Sequence, residues 1–144
     1  MRINDVIQGK PRHDVVTIRP DATVRELIGL LAQHNVGALV VSADGTSVDG
    51  IVSERDVVRR LHADDQSLLD AQVSAIMTTQ VQTCEGTAAV TELMQVRTDH
   101  RIRHVPVLTD GALTGIISIG DVVKSRIGEL EFERDQLDNY LHQT

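Results

Sequence analysis

"GIVSERDVV", residues 50–58, returns near the other end of the chain as "GIISIGDVV", residues 115–123. Glycine, two apolar residues, serine, two variable positions, aspartate and two valines recur in one order, which marks an internal repeat. Working outward, the two copies stay in step. Gly50, Ser53, Asp56, Val57 and Val58 precede Gly115, Ser118, Asp121, Val122 and Val123 by a constant 65 residues. Thr17, Val24, Glu26, Leu27, Val36 and Val41 precede Thr83, Val90, Glu92, Leu93, Ile102 and Val107 by 66. One residue dropped in a turn reconciles the two offsets.

Each copy reads in the same order. A threonine-bearing extended segment ("VVTIRP", "VQTCEG") leads to an amphipathic helix, in which Val24, Leu27, Ile28 and Leu31 fall at helical spacing. Thr23 is placed to cap that first helix, with Glu26 three residues on to complete a capping box. A strand follows ("VGALVVS", "IRHVPVLT"), then a turn rich in Asp and Gly ("ADGTSVDG", "DGALTG"), then a second strand ("GIVS", "GIIS"). Antiparallel pairing through such a turn is expected. A second helix begins at "ERDVVRRLHA" and "GDVVKSRIGE". The unit is β-α-β-β-α, written twice, and the fold class is α/β of the α+β type.

Composition narrows the function. Apolar residues make up 41% of the 144, enough for a core, but with no Trp, one Phe and one Tyr that core is aliphatic. A formal net charge of −7 argues against a nucleic-acid partner, which needs clustered Lys and Arg. Cys84 is the only cysteine, so an internal disulfide is excluded and a buried, inert thiol in a reducing compartment is expected. No apolar run has the length of a signal peptide or a membrane span, which reads as a cytoplasmic protein without a membrane partner. None of the six histidines belongs to a metal-binding pattern, and no nucleophile elbow, P-loop or G-x-G-x-x-G is present. Neither a catalytic residue nor a catalytic cofactor is indicated.

The tandem unit, "VSAIMTT" opening the second copy, "RHVPV" on its middle strand and Gly-apolar-apolar-Ser-x-x-Asp closing both copies together resemble a pair of CBS domains, the cystathionine-beta-synthase-type regulatory modules. The resemblance covers roughly residues 1–128 and is nearest to small stand-alone bacterial CBS-pair proteins. It implies two halves about a pseudo-two-fold axis, with 1–70 the first motif and its N-terminal segment, 71–128 the second, and 129–144 a helical extension. It also implies a non-catalytic sensor that binds adenine nucleotides, AMP, ATP or NAD(H), with S-adenosylmethionine a further ligand of the family.

Site residues follow from the same resemblance. Asp56 and Asp121 would accept hydrogen bonds from ribose hydroxyls, and Ser53 and Ser118 would face phosphate. Thr17 and Thr83 fall where adenine is met. The start of the middle strand lines the cleft, with Val36, Gly37 and Ala38 in the first copy and Ile102, Arg103, His104 and Val105 in the second. Arg103 and His104 would supply positive charge and donors to phosphate. Arg55 adds charge to the first site, whereas Ile119 and Gly120 leave the second less cationic, so the sites should be unequal. A plainer role stays open for the motif: Ser and Asp before an apolar helical run are also ordinary N-terminal caps.

The tail continues the last helix. Val123, Ile127, Leu130, Leu137 and Leu141 fit a heptad seam interrupted by Arg134. A homodimer to which this helix contributes is expected. The alternative to a nucleotide sensor is a protein-interaction scaffold, or dimerisation module, whose clefts are vestigial.

Overall fold

Helical spacing and capping set the first repeat. Val24, Leu27 and Leu31 are the buried residues of helix α2 (Val24–His34), which follows the short helix α1 (Ile3–Gln8) and strand β1 (Thr17–Ile18) in the computed structural model. The structure describes residues 1–10, 15–100 and 103–142. Thr23 Oγ1 accepts the Glu26 N–H at 3.2 Å, the first half of the expected capping box. Asn35, at φ 53°, ends the helix in the left-handed conformation that asparagine tolerates. Strands β2 (Ala38–Val41) and β3 (Gly50–Ser53) and helix α3 (Glu54–Asp64) complete the repeat.

The second repeat uses the same parts: β4 (Cys84–Glu85), α4 (Val90–His100), β5 (His104–Thr109), β6 (Ala112–Ser118) and α5 (Ile119–Leu141). Each repeat forms a three-stranded sheet, ordered β1-β2-β3 and β4-β5-β6. In both, the first pair is parallel and the second antiparallel, and Ala38↔Ser53 in one register answers His104↔Ser118 in the other. The β5–β6 turn is tighter than the sequence suggested. Asp110 and Gly111, at φ 53° and 81°, make a two-residue turn, so "ALTG" belongs to β6. Positive φ at both central positions matches the twist of paired strands, which is why Asp-Gly selects this turn.

The repeats exchange segments. Ile3 and Val6 of α1 are buried with Val90, Leu93, Val105, Val107, Ile117 and Val122 in the second core. Leu68 and, from the opening of the second copy, Val73 and Ile76 are buried in the first core with Ile18, Val24, Leu27, Leu39 and Val52. The N-terminal segment, first-motif by chain order, thus packs in the second half. Backbone bonds repeat the exchange: Val73 N donates to Ala22 O and Val24 N to Ala71 O, while Ile3 N donates to Ala88 O and Val90 N to Met1 O. Burial of each aliphatic side chain contributes about 1.5–3 kcal/mol, so the exchanged residues are a material share of each core.

That exchange also explains the repeated glycine, which is neither a turn residue nor a ligand here. A Cβ on Gly50 would stand 2.8 Å from Thr78 O and from Met77 Sδ, and one on Gly115 would stand 2.6 Å from Ile7 Cδ1. The exchanged segment crosses each strand where the side chain is missing.

Helix α5 runs for 23 residues, and beyond Val122 its large apolar residues stay exposed. Among the described residues, no helix is long and apolar enough to cross a membrane.

Candidate functional site

The strand-to-helix junctions are built first by local hydrogen bonds. Ser53 N and Ser53 Oγ both donate to Asp56 Oδ2, at 2.8 and 3.1 Å, and Asp56 N donates back to Ser53 Oγ at 3.3 Å. Ser118 N donates to Asp121 Oδ2 at 2.9 Å, and Asp121 N to Ser118 Oγ at 3.1 Å. Both motifs are therefore reciprocal caps, the plainer role left open by the sequence. In the first motif the cap uses Oδ2 alone, and among the described residues Asp56 Oδ1 has no partner. Capping and ligand binding are compatible there, because the cap fixes the carboxylate while one oxygen stays free. The Ser53 hydroxyl donates to Asp56 here and so orients the aspartate.

Around Asp56 opens a cleft of about 580 Å³. The first repeat contributes Gly37, Ala38, Ser53, Arg55 and Asp56, and the second contributes Arg103 and His104. Seven of the residues singled out in the sequence thus meet at one place. The crossing segment adds Thr78, Gln80, Val81 and Gln82, and α3 and β3 add Glu54, Val58 and Ile51. Sequence reasoning did not bring Thr78, Gln80, Val81 and Gln82 to the first motif because it read them with the opening of the second copy, and it passed over Glu54 because that residue lies at a variable position of the motif. Gly37 borders both repeats' residues: a Cβ there would stand at ordinary contact distance, 3.6 Å from Glu54 Oε1 and 3.8 Å from His104 Cε1.

Electrostatically the cleft is mixed. Arg55 and Arg103 face Glu54 and Asp56. His104 was expected to bring positive charge, but burial pushes its pKa below the ordinary histidine value, and Lys10 and Arg103 act in the same direction against Asp121 and Glu54. It is a neutral donor or acceptor near pH 7. Cys84 is half-buried, and burial raises its thiol to about 11, as expected of an inert cysteine.

The second motif is arranged differently. Lys10 Nζ stands 3.0 Å from Asp121 Oδ2 and donates to Ile116 O at 3.0 Å. Burial raises the Asp121 pKa, but bonds from Ser118 and Lys10 outweigh it and hold the carboxyl below its usual value. Ser118 and Val105 border a hollow of only about 10 Å³. Val105 is 2% exposed and belongs to the second core, and Gly120 is exposed in the first turn of α5. Thr17 lines a separate depression with Arg19 and Asp21, away from the Asp56 cleft. Thr83 is exposed just before β4 and does not line that cleft, nor does Val36, which follows the end of α2. Ile102 lies outside the described residues. The two motifs thus differ in their surroundings: Lys10 pairs with Asp121, whereas Arg55 lines the cleft beside Asp56.

The chain is 38% identical over 125 residues to the mitochondrial CBS domain-containing protein CBSX3 of Arabidopsis thaliana, covering 84% of this chain and 61% of that one. The chain therefore spans about three-fifths of that relative's length. The crystal structure of the CBS-domain containing protein ATU1752 from Agrobacterium tumefaciens superposes with a TM-score of 0.81 at 44% identity, over 88% of this chain and 99% of that chain. The CBS domain pair of MJ0100, solved with 5′-methylthioadenosine and S-adenosyl-L-methionine, shares the fold at a TM-score of 0.75 and 20% identity, over 86% of this chain and 98% of that one. The CBS domain family matches residues 3–63 and 73–128, one stretch per repeat, and the chain belongs to that family as a tandem pair.

Proposed function

We propose that this CBS pair is a regulatory module that binds an adenosine ligand in the Asp56 cleft. The observation that carries the reading is the free Oδ1 of Asp56, fixed by the cap and opening on a cleft of about 580 Å³. A carboxylate oxygen accepts from the vicinal hydroxyls of a ribose, and the Arg55 and Arg103 guanidinium groups are donors for phosphate. MJ0100, with the same fold, was solved with two adenosine compounds, which supports the ligand class. Asp56 comes from one repeat and Arg103 and His104 from the other. A ligand touching both responds to their relative position, and it shifts conformation only by its differential affinity for the two arrangements. AMP, ATP, NAD(H) and S-adenosylmethionine are the ligands to compare.

Calorimetric titration of ligand-stripped protein with these four tests the reading. Saturable binding is expected for at least one, with loss in Asp56→Ala. That variant also loses a cap contribution of about 1 kcal/mol, so its fold is checked by circular dichroism. No saturable binding to any ligand, or binding indifferent to Asp56→Ala, overturns the reading. The exposed apolar face of α5 favours the second reading in that event, a self-associating scaffold.

A further inference from the structure

We propose that the Asp56 cleft selects adenosine ligands of low negative charge and that Glu54 is the residue that turns a triphosphate away. This rests on the adenosine-binding reading above and names its ligand class. Among the described residues the ionisable lining is balanced: Arg55 and Arg103 carry two positive charges, Glu54 and Asp56 two negative. His104 adds none near pH 7, because burial lowers its pKa. Lys10 and Asp121, which both act on His104, pair with each other at 3.0 Å. The described lining therefore gives no net positive charge of the kind that concentrates a highly charged anion. The start of α3, where the helix dipole favours an anion, already holds two acids in its first turn.

Glu54 is placed to discriminate. Its Oε1 and His104 Cε1 both lie within 4 Å of the point where a Cβ on Gly37 would stand, so the acid stands beside the His104 ring in a cleft that Arg103 also lines. A monophosphate, at about −2, matches the two arginines once Asp56 is directed at ribose. Each further phosphate adds charge that meets Glu54 in place of a third cation. The fold does not require an acid there. Asp56 supplies the cap, the Glu54 side chain makes no hydrogen bond or ion pair among the described residues, and the second repeat starts its helix with Ile119 at the equivalent position.

The test is titration of the stripped full chain with adenosine, AMP and ATP in chelator-containing buffer, for wild type, Glu54→Gln and Glu54→Ile, the last installing the second repeat's residue. AMP is expected to bind about tenfold more tightly than ATP in the wild type. Both variants are expected to narrow that gap by about threefold to fivefold, strengthening ATP more than AMP and AMP more than adenosine. Wild-type ATP binding as tight as AMP, or variants that change all three ligands equally, overturns the selectivity while adenosine binding stands. Failure of all three ligands to bind overturns the selectivity, and failure of NAD(H) and S-adenosylmethionine as well overturns the underlying reading with it.

Discussion

At the scale of single residues, the two motif glycines look equivalent in sequence and are not equivalent in space. The neighbour of Gly50 includes a backbone oxygen, Thr78 O at 2.8 Å, whereas Gly115 is approached by the terminal methyl of Ile7. Backbone held in a bridge between Ile51 and Thr78 has nowhere to go, while a methyl at the end of a side chain can change rotamer. Gly50→Ala should therefore lower stability by about 2–3 kcal/mol and Gly115→Ala by about 1 kcal/mol or less, read from urea unfolding midpoints. Equal losses would mean that crowding alone does not account for the repeated glycine. The sequence made the motif legible as Ser, Asp and Gly in a fixed order, but the reason for the glycine lies in segments 27 and 108 residues away from the positions they cover, Met77 on Gly50 and Ile7 on Gly115. The charge of His104 was illegible for the same reason. It depends on burial and on four charged neighbours, only one of which, Arg103, adjoins it in sequence.

At the scale of elements, helices and strands were legible wherever periodicity and turn chemistry agreed. The 3.6-residue pattern located α2, and Asp-Gly located the β5–β6 hairpin, though the hairpin's strand runs longer than the apolar run alone suggested. Helix α1 escaped because six residues are too few to show a period and its two buried residues, Ile3 and Val6, are completed only by the second core. The seam read along α5 is real as a surface: Ile127, Leu130, Leu137 and Leu141 are 48–60% exposed, and Val58 and Leu61 of α3 are exposed as well. Apolar exposure along one helix is the kind of surface through which chains associate, and a second copy of the chain is its proposed occupant. If the second copy sits there, the wild type should sediment as a dimer and Leu130→Lys with Leu137→Lys as a monomer in sedimentation velocity. Thermal stability of the monomer should stay close to that of other surface variants, within about 0.5 kcal/mol per site. A wild-type protein that sediments as a monomer at the same concentration would remove the proposed partner.

At the scale of the whole molecule, repeats in sequence and cores in space do not share boundaries. A cut after residue 70, which the repeat suggests, leaves Val73 and Ile76 out of the first core, where they are 0% and 8% exposed. It also removes the backbone bonds from Val24 N to Ala71 O, from Val73 N to Ala22 O and between Ile51 and Thr78. Two lost aliphatic side chains amount to about 3–6 kcal/mol, comparable with the whole stability of a small domain, about 5–15 kcal/mol. A fragment 15–80 keeps every residue of the first core, whereas a fragment 1–70 keeps α1 without the second core that buries it. The first should unfold cooperatively in urea and the second should not, by far-ultraviolet circular dichroism. Equal cooperativity would show the exchange of segments to be geometric and energetically idle. If the exchange is energetic, it gives the cleft its route to the rest of the fold. Thr78, Gln80, Val81 and Gln82 line the cleft on the same segment whose Val73 and Ile76 close the first core, so a ligand that moves this segment acts on core packing and on strand β3 together.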